Sequence, residues 1–233
     1  NDEMITLAKF LAISGIILPM LPHKNLIPDI NLTPYSIWLA TVVVSGISYL
    51  SYLLKRYVFH ESGVLVSGII GGLYSSTATI SVLARKSRKA SAQEANEYVA
   101  AMLLAVSMMF LRFMILILIF SREIFMSIYP YLLIMSVVAA VVAWFIHSRQ
   151  RRSKDLSADS EEEDSSNPLE FKVALIFATL FVIFTVLTHY TLVYAGTGGL
   201  NLLSFVSGLS DITPFILNLL QNTGSVAVLI VVA

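Results

Sequence analysis

The sequence predicts an all-α polytopic membrane protein with about seven or eight transmembrane helices in two parallel-oriented four-helix repeats. Of its 233 residues, 57% are hydrophobic and 13% are charged, and the mean hydropathy is +0.80. Several apolar runs are each long enough to cross a hydrocarbon core of about 30 Å. Cysteine is absent from the sequence, which excludes disulfides and thiolate metal sites.

Prolines and charge clusters divide the apolar runs into successive segments. A Pro-rich loop at 22–34 separates the first two, and a linker at 147–167, basic and then acidic, separates the fifth from the sixth. The predicted segments are 4–21, 35–54, 63–83, 98–120, 129–146, 171–194, 200–220 and an eighth from 225. The start at Asn1 predicts a piece of a longer chain or a processed one, and the short last run predicts that the C-terminus is cut as well.

The basic clusters predict the orientation of the segments in the membrane. Cytoplasmic loops carry an excess of Lys and Arg, so the loops 85–89 and 149–154 are predicted to face the cytoplasm. Two crossings separate them, so the two assignments agree. If 63–83 also crosses, Lys55 and Arg56 fall on the outer side, against the rule.

Segment 63–83 has a face that is almost free of side-chain bulk. Small residues recur there every four positions, in two adjacent rows: Ser67, Gly71, Ser75 and Thr79, and Gly68, Gly72 and Ser76. Such a face lets another helix approach closely. Gly-Gly followed by Ser-Ser-Thr is also where a membrane helix can unwind and offer hydroxyls and carbonyls to a solute. Both interpretations stay open from the sequence.

A second copy of this element predicts an internal repeat. Residues 72–77 (GLYSST) align with 208–213 (GLSDIT), with Asp211 in the place of Ser75. The predicted halves are 1–128, with segments one to four, and 129–233, with segments five to eight. Parallel repeats in transporters place the solute site near the midplane at the repeat interface. The sequence therefore predicts a site between segments three and seven.

Two ionisable residues inside apolar segments are functional candidates, because charges in a bilayer are costly. Asp211 is interpreted as an ion ligand, with a metal ion as one candidate, or as a partner of Arg112 or a helix N-cap. Arg112 is interpreted as a charge partner, an anion contact, a donor to carbonyls of a broken helix or, if segment four is shifted, a side chain that snorkels to the interface. The other predicted ion contacts are Ser75, Ser76, Thr77, Thr79 and Thr213, with Asn218 and Asn222 as secondary lining. Gly68, Gly71, Gly72 and Gly208 are predicted to serve helix packing or a helix break.

Five stretches carry a family resemblance: TPYSIWLATVVVSGISYLSYLL, GGLYSSTATISVLARKSR, MFLRF, NPLEFKVALIF and SGLSDIT. They resemble, in order and over nearly the whole chain, an uncharacterised (domain-of-unknown-function) membrane domain found C-terminal to MgtC/SapB-type domains. The family pattern is richer in alcohols and Ala where this chain has Pro214 and Phe215. The resemblance implies an inner-membrane protein, often described as a magnesium transporter or MgtC-like.

Two functions follow as hypotheses. The first is a transporter or channel-like unit for a small inorganic ion, with Mg²⁺ favoured by the resemblance and a monovalent cation fitting the same residues. The second is a non-transporting, MgtC-like interaction or regulatory module. Its partner would be a second copy of the chain in a homodimer, an N-terminal MgtC-like domain or another membrane protein. The sequence contains no HExxH, GxSxG or P-loop motif, so neither an enzyme nor a resident cofactor is predicted. Nucleic acid is not indicated as a partner.

Overall fold

The structure is a computed structural model that describes residues 2–54, 63–148, 171–208 and 212–222. This part of the chain is 89% helical and contains no strand. Its helices are α1 (Asp2–Met20), α2 (Pro34–Leu53), α3 (Val64–Ser87), α4 (Ala92–Phe120), α5 (Arg122–Ser148), α6 (Phe171–Gly208) and α7 (Ile212–Asn222).

Helices α2, α3, α4, α5 and α6 are long and apolar enough to cross a membrane by length and composition. Helices α1 and α7 contribute shorter apolar stretches. The prediction of an all-helical fold with several helices long and apolar enough to span a membrane is thus confirmed, whereas the number of crossings and the repeat arrangement stay predictions.

The fold comprises two compact units. The first contains Asn1–Ser45, Leu116–Ile128 and Asn167–Ala233, and the second contains Gly46–Ile115 and Tyr129–Ser166, each as far as its residues are described. Both units draw on both predicted halves of the sequence. The predicted boundary between residues 128 and 129 stays a prediction, and most of the predicted polar linker lies outside the described residues.

Side-chain caps explain where two of the helices begin. Before α2, the amide of Ser36 donates to Thr33 Oγ1 at 3.0 Å, and the amide of Thr33 donates to Ser36 Oγ at 3.1 Å. Before α4, the amide of Ser91 donates to Glu94 Oε2 at 2.8 Å, and the amide of Glu94 donates to Ser91 Oγ at 3.4 Å. These reciprocal bonds satisfy amides that have no partner inside the helix.

Helices α4 and α5 pack through a pair of serines inside the second unit. Ser107 Oγ donates to the carbonyl oxygen of Ser136 at 2.9 Å, and Ser136 Oγ donates to that of Ser107 at 3.1 Å. Both side chains are buried. Small hydroxylated residues suit such contacts between membrane helices because they permit close approach and still satisfy their own polar groups.

Two of the long helices are broken. In α3, Ser75 has φ −156° and ψ 99°, which separates α3a (64–74) from α3b (76–87). In α6, Gly196 has φ 58° and ψ −152°, which separates α6a (171–195) from α6b (197–208). The second combination is essentially restricted to glycine, so the residue type explains the position of that break.

Candidate functional site

The break in α3 lies where the sequence predicts a membrane helix to unwind. Ser75 is extended, and its Oγ accepts a hydrogen bond of 3.4 Å from the amide of Ala78. That amide is the third in α3b, so Ser75 is the N-cap of this half-helix. The run of Gly71, Gly72 and Ser75 thus ends one helix and starts another.

The two halves of α3 fold back on each other into what we call the α3 hairpin, residues 64–87. In a continuous helix, Gly71 and Thr79 would be about 12 Å apart along the axis. Here, a Cβ atom built on Gly71 would lie 2.8 Å from Thr79 Cγ2. At the other end of the hairpin, Val64 and Leu83 are buried in one cluster with Ala101, although a continuous helix would separate the first two by about 28 Å.

The small residues of α3a pack against α4 in the same unit. A Cβ atom on Gly68 would lie 2.9 Å from Ala101 Cα, and one on Gly72 would lie 2.6 Å from Ala105 Cα. Since both pairs advance together in sequence, α3a and α4 run in the same direction. Only glycine permits this backbone approach, so these two glycines serve helix packing within the chain.

Arg112 on α4 reaches the tip of the α3 hairpin. Its Nη1 donates to the carbonyl oxygen of Tyr74 at 2.9 Å, and its Nη2 donates to Ser48 Oγ on α2 at 3.3 Å. Tyr74 is the last residue of α3a, so Arg112 binds a carbonyl of the broken helix, one of the roles that the sequence leaves open. The predicted pairing of Arg112 with Asp211 stays a prediction, because Asp211 lies outside the described residues.

The other predicted ion contacts of α3 have different environments. Thr77 is exposed, Ser76 is half-buried, and Thr79 is buried against Gly71. The carbonyl oxygen of Thr77 accepts a hydrogen bond of 2.8 Å from Ser81 Oγ. Thr77 is thus an exposed residue beside the tip of the hairpin, whereas Thr79 fills the space between its two halves.

Helices α6b and α7 form a second hairpin, residues 197–222, in the first unit. A Cβ atom on Gly199 would lie 2.8 Å from Thr191 Cγ2, so α6b folds back along α6a at Gly196. The rings of Phe184 and Phe215 are 5.9 Å apart between centroids, which places α7 beside α6a again. We call this element the α6b–α7 hairpin.

Two predicted residues of segment seven, Gly208 and Thr213, lie on either side of residues 209–211, which are outside the described part of the chain. Gly208 ends α6, with no atom of the described residues near the position of a Cβ atom. Thr213 is buried in the first turn of α7. Asp211 lies outside the described residues and directly precedes the first residue of α7 in sequence, as Ser75 directly precedes α3b.

Asn218, which is predicted to line the solute site as a secondary residue, is buried and hydrogen-bonded between two helices. Its Nδ2 donates to Thr188 Oγ1 at 2.8 Å and to the carbonyl oxygen of Phe184 at 3.3 Å, and its side chain is fully buried. Thus it joins α7 to α6a. The side chain of Asn222 is not among those described.

A cavity in the first unit was not predicted from the sequence. It has a volume of about 410 Å³ and is lined by Asn25, Asn31, Thr33, Tyr35, Ser36, Leu39, Phe120, Leu220 and Gln221. Both polar atoms of the Gln221 carboxamide are buried without a hydrogen-bond partner in the described part of the chain. Amides scattered over a loop and a helix end carry no sequence motif, so no signal identified them.

Comparison with known protein families identifies the chain. Residues 42–233 match the family described as Domain of unknown function (DUF4010). The chain belongs to the DUF4010 family. The DUF4010 match includes both hairpins and Arg112, and no MgtC/SapB-type domain is matched in the chain. Comparisons with curated proteins and with solved structures found no match.

Proposed function

We propose that this DUF4010 chain is a permeation unit for a small inorganic ion. The observation that carries the proposal is the break at Ser75, because it brings polar backbone and hydroxyl groups into an apolar segment. Irregular backbone at membrane depth is tolerated where it is buried in protein or lines a water-filled cavity. Broken helices of this kind bind solutes in secondary transporters.

The proposed solute contacts are the hydroxyls at the tip of the α3 hairpin and the carboxylate of Asp211. Thr77 and Ser76 are the accessible hydroxyls at the α3 tip, since Ser75 Oγ caps α3b and Thr79 is buried. In the second half, Asp211 supplies the corresponding group, whereas Thr213 is buried as Thr79 is. The aligned positions of Ser75 and Asp211, each just before a half-helix, support this assignment.

The charge of Arg112 bears on which ion passes. Its guanidinium lies at the Tyr74 carbonyl, and the N-terminus of α3b adds a partial positive charge at the same tip. A dehydrated Mg²⁺ ion is unfavourable beside this positive charge, so Mg²⁺ would pass with most of its water shell. Magnesium is suggested by the family resemblance alone, so anions belong in any test beside cations.

The experiment is ion flux into proteoliposomes that contain the purified chain. Mg²⁺, Co²⁺, Na⁺, K⁺, H⁺ and Cl⁻ gradients are tested with wild type, Asp211→Asn and Thr77→Val. Thr179→Val is the matched control, because Thr179 is an exposed threonine on α6a whose hydroxyl donates to the carbonyl of Leu175 in its own helix. Flux of one ion that falls at least tenfold in the first two variants and persists in the control supports the proposal. No flux of any ion from folded protein contradicts it.

The alternative is an interaction or regulatory module that uses the small-residue face of α3 to bind another helix. Gly68 and Gly72 are already covered by α4 of the same chain. This intramolecular packing leaves that face without room for a partner helix. We therefore favour permeation over the regulatory module.

A further inference from the structure

We propose that the α3 hairpin and the α6b–α7 hairpin are both re-entrant, and that they enter the membrane from opposite faces. Each would reach the middle of the bilayer and return to the face it came from. The two halves of the chain would then have inverted topologies. This proposal concerns the path of the chain and does not rest on the proposed function.

The length of α3 supports a re-entrant path. The whole helix has 24 residues, and its two halves lie side by side instead of end to end. At about 1.5 Å per residue, each half extends roughly 17 Å, well short of a hydrocarbon core of about 30 Å. Length and composition place α3 among the candidate spans, but a helix folded at its middle cannot cover the bilayer.

Helix α4 indicates how deep the tip lies. Gly68 lies at the level of Ala101, and Gly72 lies one turn further on, at the level of Ala105. Continued to Ser75, this register places the tip beside Met108, near the middle of the apolar span Glu94–Phe120. The base of the hairpin, marked by Val64 and Leu83, lies near the beginning of that span.

The distribution of basic residues supports the same path. By sequence, Lys55 and Arg56 belong to the connection that leads into the hairpin, and the cluster 85–89 ends it. If α3 crossed the membrane, these two groups would face opposite sides. A re-entrant α3 places both on the side of the cluster 149–154, because α4 and α5 make two crossings in between, and the positive-inside rule is then satisfied.

The second hairpin follows the same plan. Asn218 bonds to Thr188 and Phe215 packs on Phe184, so α7 runs in the direction of α6a, whereas the contact of Gly199 with Thr191 shows α6b returning along it. Helix α7 begins near the level of the middle of α6a. The hairpin thus starts at the far end of α6a, reaches mid-helix and comes back.

Counting crossings gives the relation between the two halves. Helices α4, α5 and α6a lie between the bases of the two hairpins, and three crossings place those bases on opposite faces. In each predicted half, three segments cross the membrane and one is a re-entrant hairpin. Because three is an odd number of crossings, the second half begins on the opposite face from the first half and is inverted relative to it. Inverted repeats are a common plan of secondary transporters. The parallel orientation predicted from sequence assumes instead that segments three and seven each cross.

The test is the sidedness of single cysteines, which the chain allows directly because it has no native cysteine. The variants are Gly63→Cys and Lys89→Cys at the base of the α3 hairpin, Glu123→Cys between α4 and α5, and Thr197→Cys and Asn222→Cys at the base of the second hairpin. Gly63, Lys89, Glu123 and Thr197 are exposed, so these substitutions leave packing intact. A membrane-impermeant maleimide is applied to right-side-out and inside-out vesicles, with total thiol measured after denaturation.

We expect Gly63→Cys to label from the same face as Lys89→Cys, and Thr197→Cys and Asn222→Cys to label from the face of Glu123→Cys. Labelling of Gly63→Cys from the Glu123→Cys face, or from neither face, would overturn the re-entrant path of α3. Labelling of Asn222→Cys from the Lys89→Cys face would overturn the second hairpin. The expected labelling in a chain that conducts no ion would contradict the proposed function and leave this topology intact.

Discussion

Arg112 Nη1 donates a hydrogen bond of 2.9 Å to the carbonyl oxygen of Tyr74, the last residue before the break in α3. In a continuous helix, that carbonyl would accept from the amide of Ala78. Here the amide of Ala78 bonds to Ser75 Oγ instead. At these two groups, the break replaces a backbone hydrogen bond by bonds to side chains, so that both stay satisfied inside an apolar segment.

Replacing Arg112 by Ala is expected to destabilise the α3 hairpin. The substitution leaves the Tyr74 carbonyl and Ser48 Oγ without this donor, at a cost of about 1–3 kcal/mol for a charged hydrogen bond at a buried group. For a chain of this size, that cost lowers the midpoint of thermal unfolding by about 2–4 °C per kcal/mol. The measurement is thermal unfolding in detergent, followed by the fluorescence of Trp38 and Trp144.

Arg122→Ala is the matched control for Arg112→Ala, because Arg122 is an exposed arginine at the start of α5. We also expect Arg112→Lys to recover only part of the loss, since the two bonds of Arg112 come from two different nitrogens of a rigid fork. Equal midpoints for wild type and Arg112→Ala would mean that the Tyr74 carbonyl does not depend on this residue.

Replacing Ser75 by Ala is expected to fray the first turn of α3b. An N-cap substitution of this kind costs about 1 kcal/mol, and Asp is as good an N-cap as Ser. Ser75→Asp should therefore retain stability, as the alignment of Ser75 with Asp211 also suggests. Hydrogen exchange over 76–79 measures the effect directly, with Ser81→Ala as the control because Ser81 Oγ bonds inside the helix, to the carbonyl of Thr77. Faster exchange in Ser75→Asp than in Ser75→Ala would refute the capping role.

The sequence identified the position of the α3 break but not the path of the chain beyond it. Gly71, Gly72 and Ser75 indicate local unwinding because glycine and serine weaken a helix wherever they occur. Whether the second half then continues across the bilayer or folds back depends on what its side chains contact. Leu83 and Val64 are buried in one cluster although they are far apart in sequence, and the residue types alone do not predict this packing.

In the second half of the chain, too, the sequence indicates local features but not the contacts between helices. The match of Gly208 and Thr213 with α3 predicts a break that stays a prediction, because residues 209–211 lie outside the described part of the chain. The break at Gly196 lies between the predicted segments 171–194 and 200–220, but the return of α6b along α6a was not predicted. Asn218 was assigned to solute lining because polar residues in apolar segments attract that interpretation, whereas its amide joins two helices.

Gly72→Leu is expected to separate α3a from α4. A Cβ atom at this position would lie 2.6 Å from Ala105 Cα, and a backbone atom cannot move aside as a flexible side chain can. Overpacking of this kind costs about 1–3 kcal/mol. Gly46→Leu on α2 is the matched control, since, apart from the nearby backbone of its own helix, no atom of the described residues lies within 4 Å of its Cβ position. We expect a lower yield of monodisperse protein and a lower unfolding midpoint for Gly72→Leu alone, and equal losses in the two variants would argue against close packing at Gly72.

Substitution of Asn218 distinguishes a structural role from a solute-binding role for this residue of the α6b–α7 hairpin. Asn218→Asp keeps the size of the side chain but removes the Nδ2 donor, so a buried carboxylate faces the Phe184 carbonyl, whereas the Thr188 hydroxyl can turn and donate to it. Loss of the donor to the carbonyl costs about 1–3 kcal/mol, so the unfolding midpoint should fall. Thr188→Val in the same background should deepen the loss, because it removes the donor that the carboxylate can still use. A solute ligand would behave differently, since an added carboxylate would change ion flux while the unfolding midpoint stayed constant. The two measurements together, made on the same purified variants, therefore assign Asn218 to one role or the other.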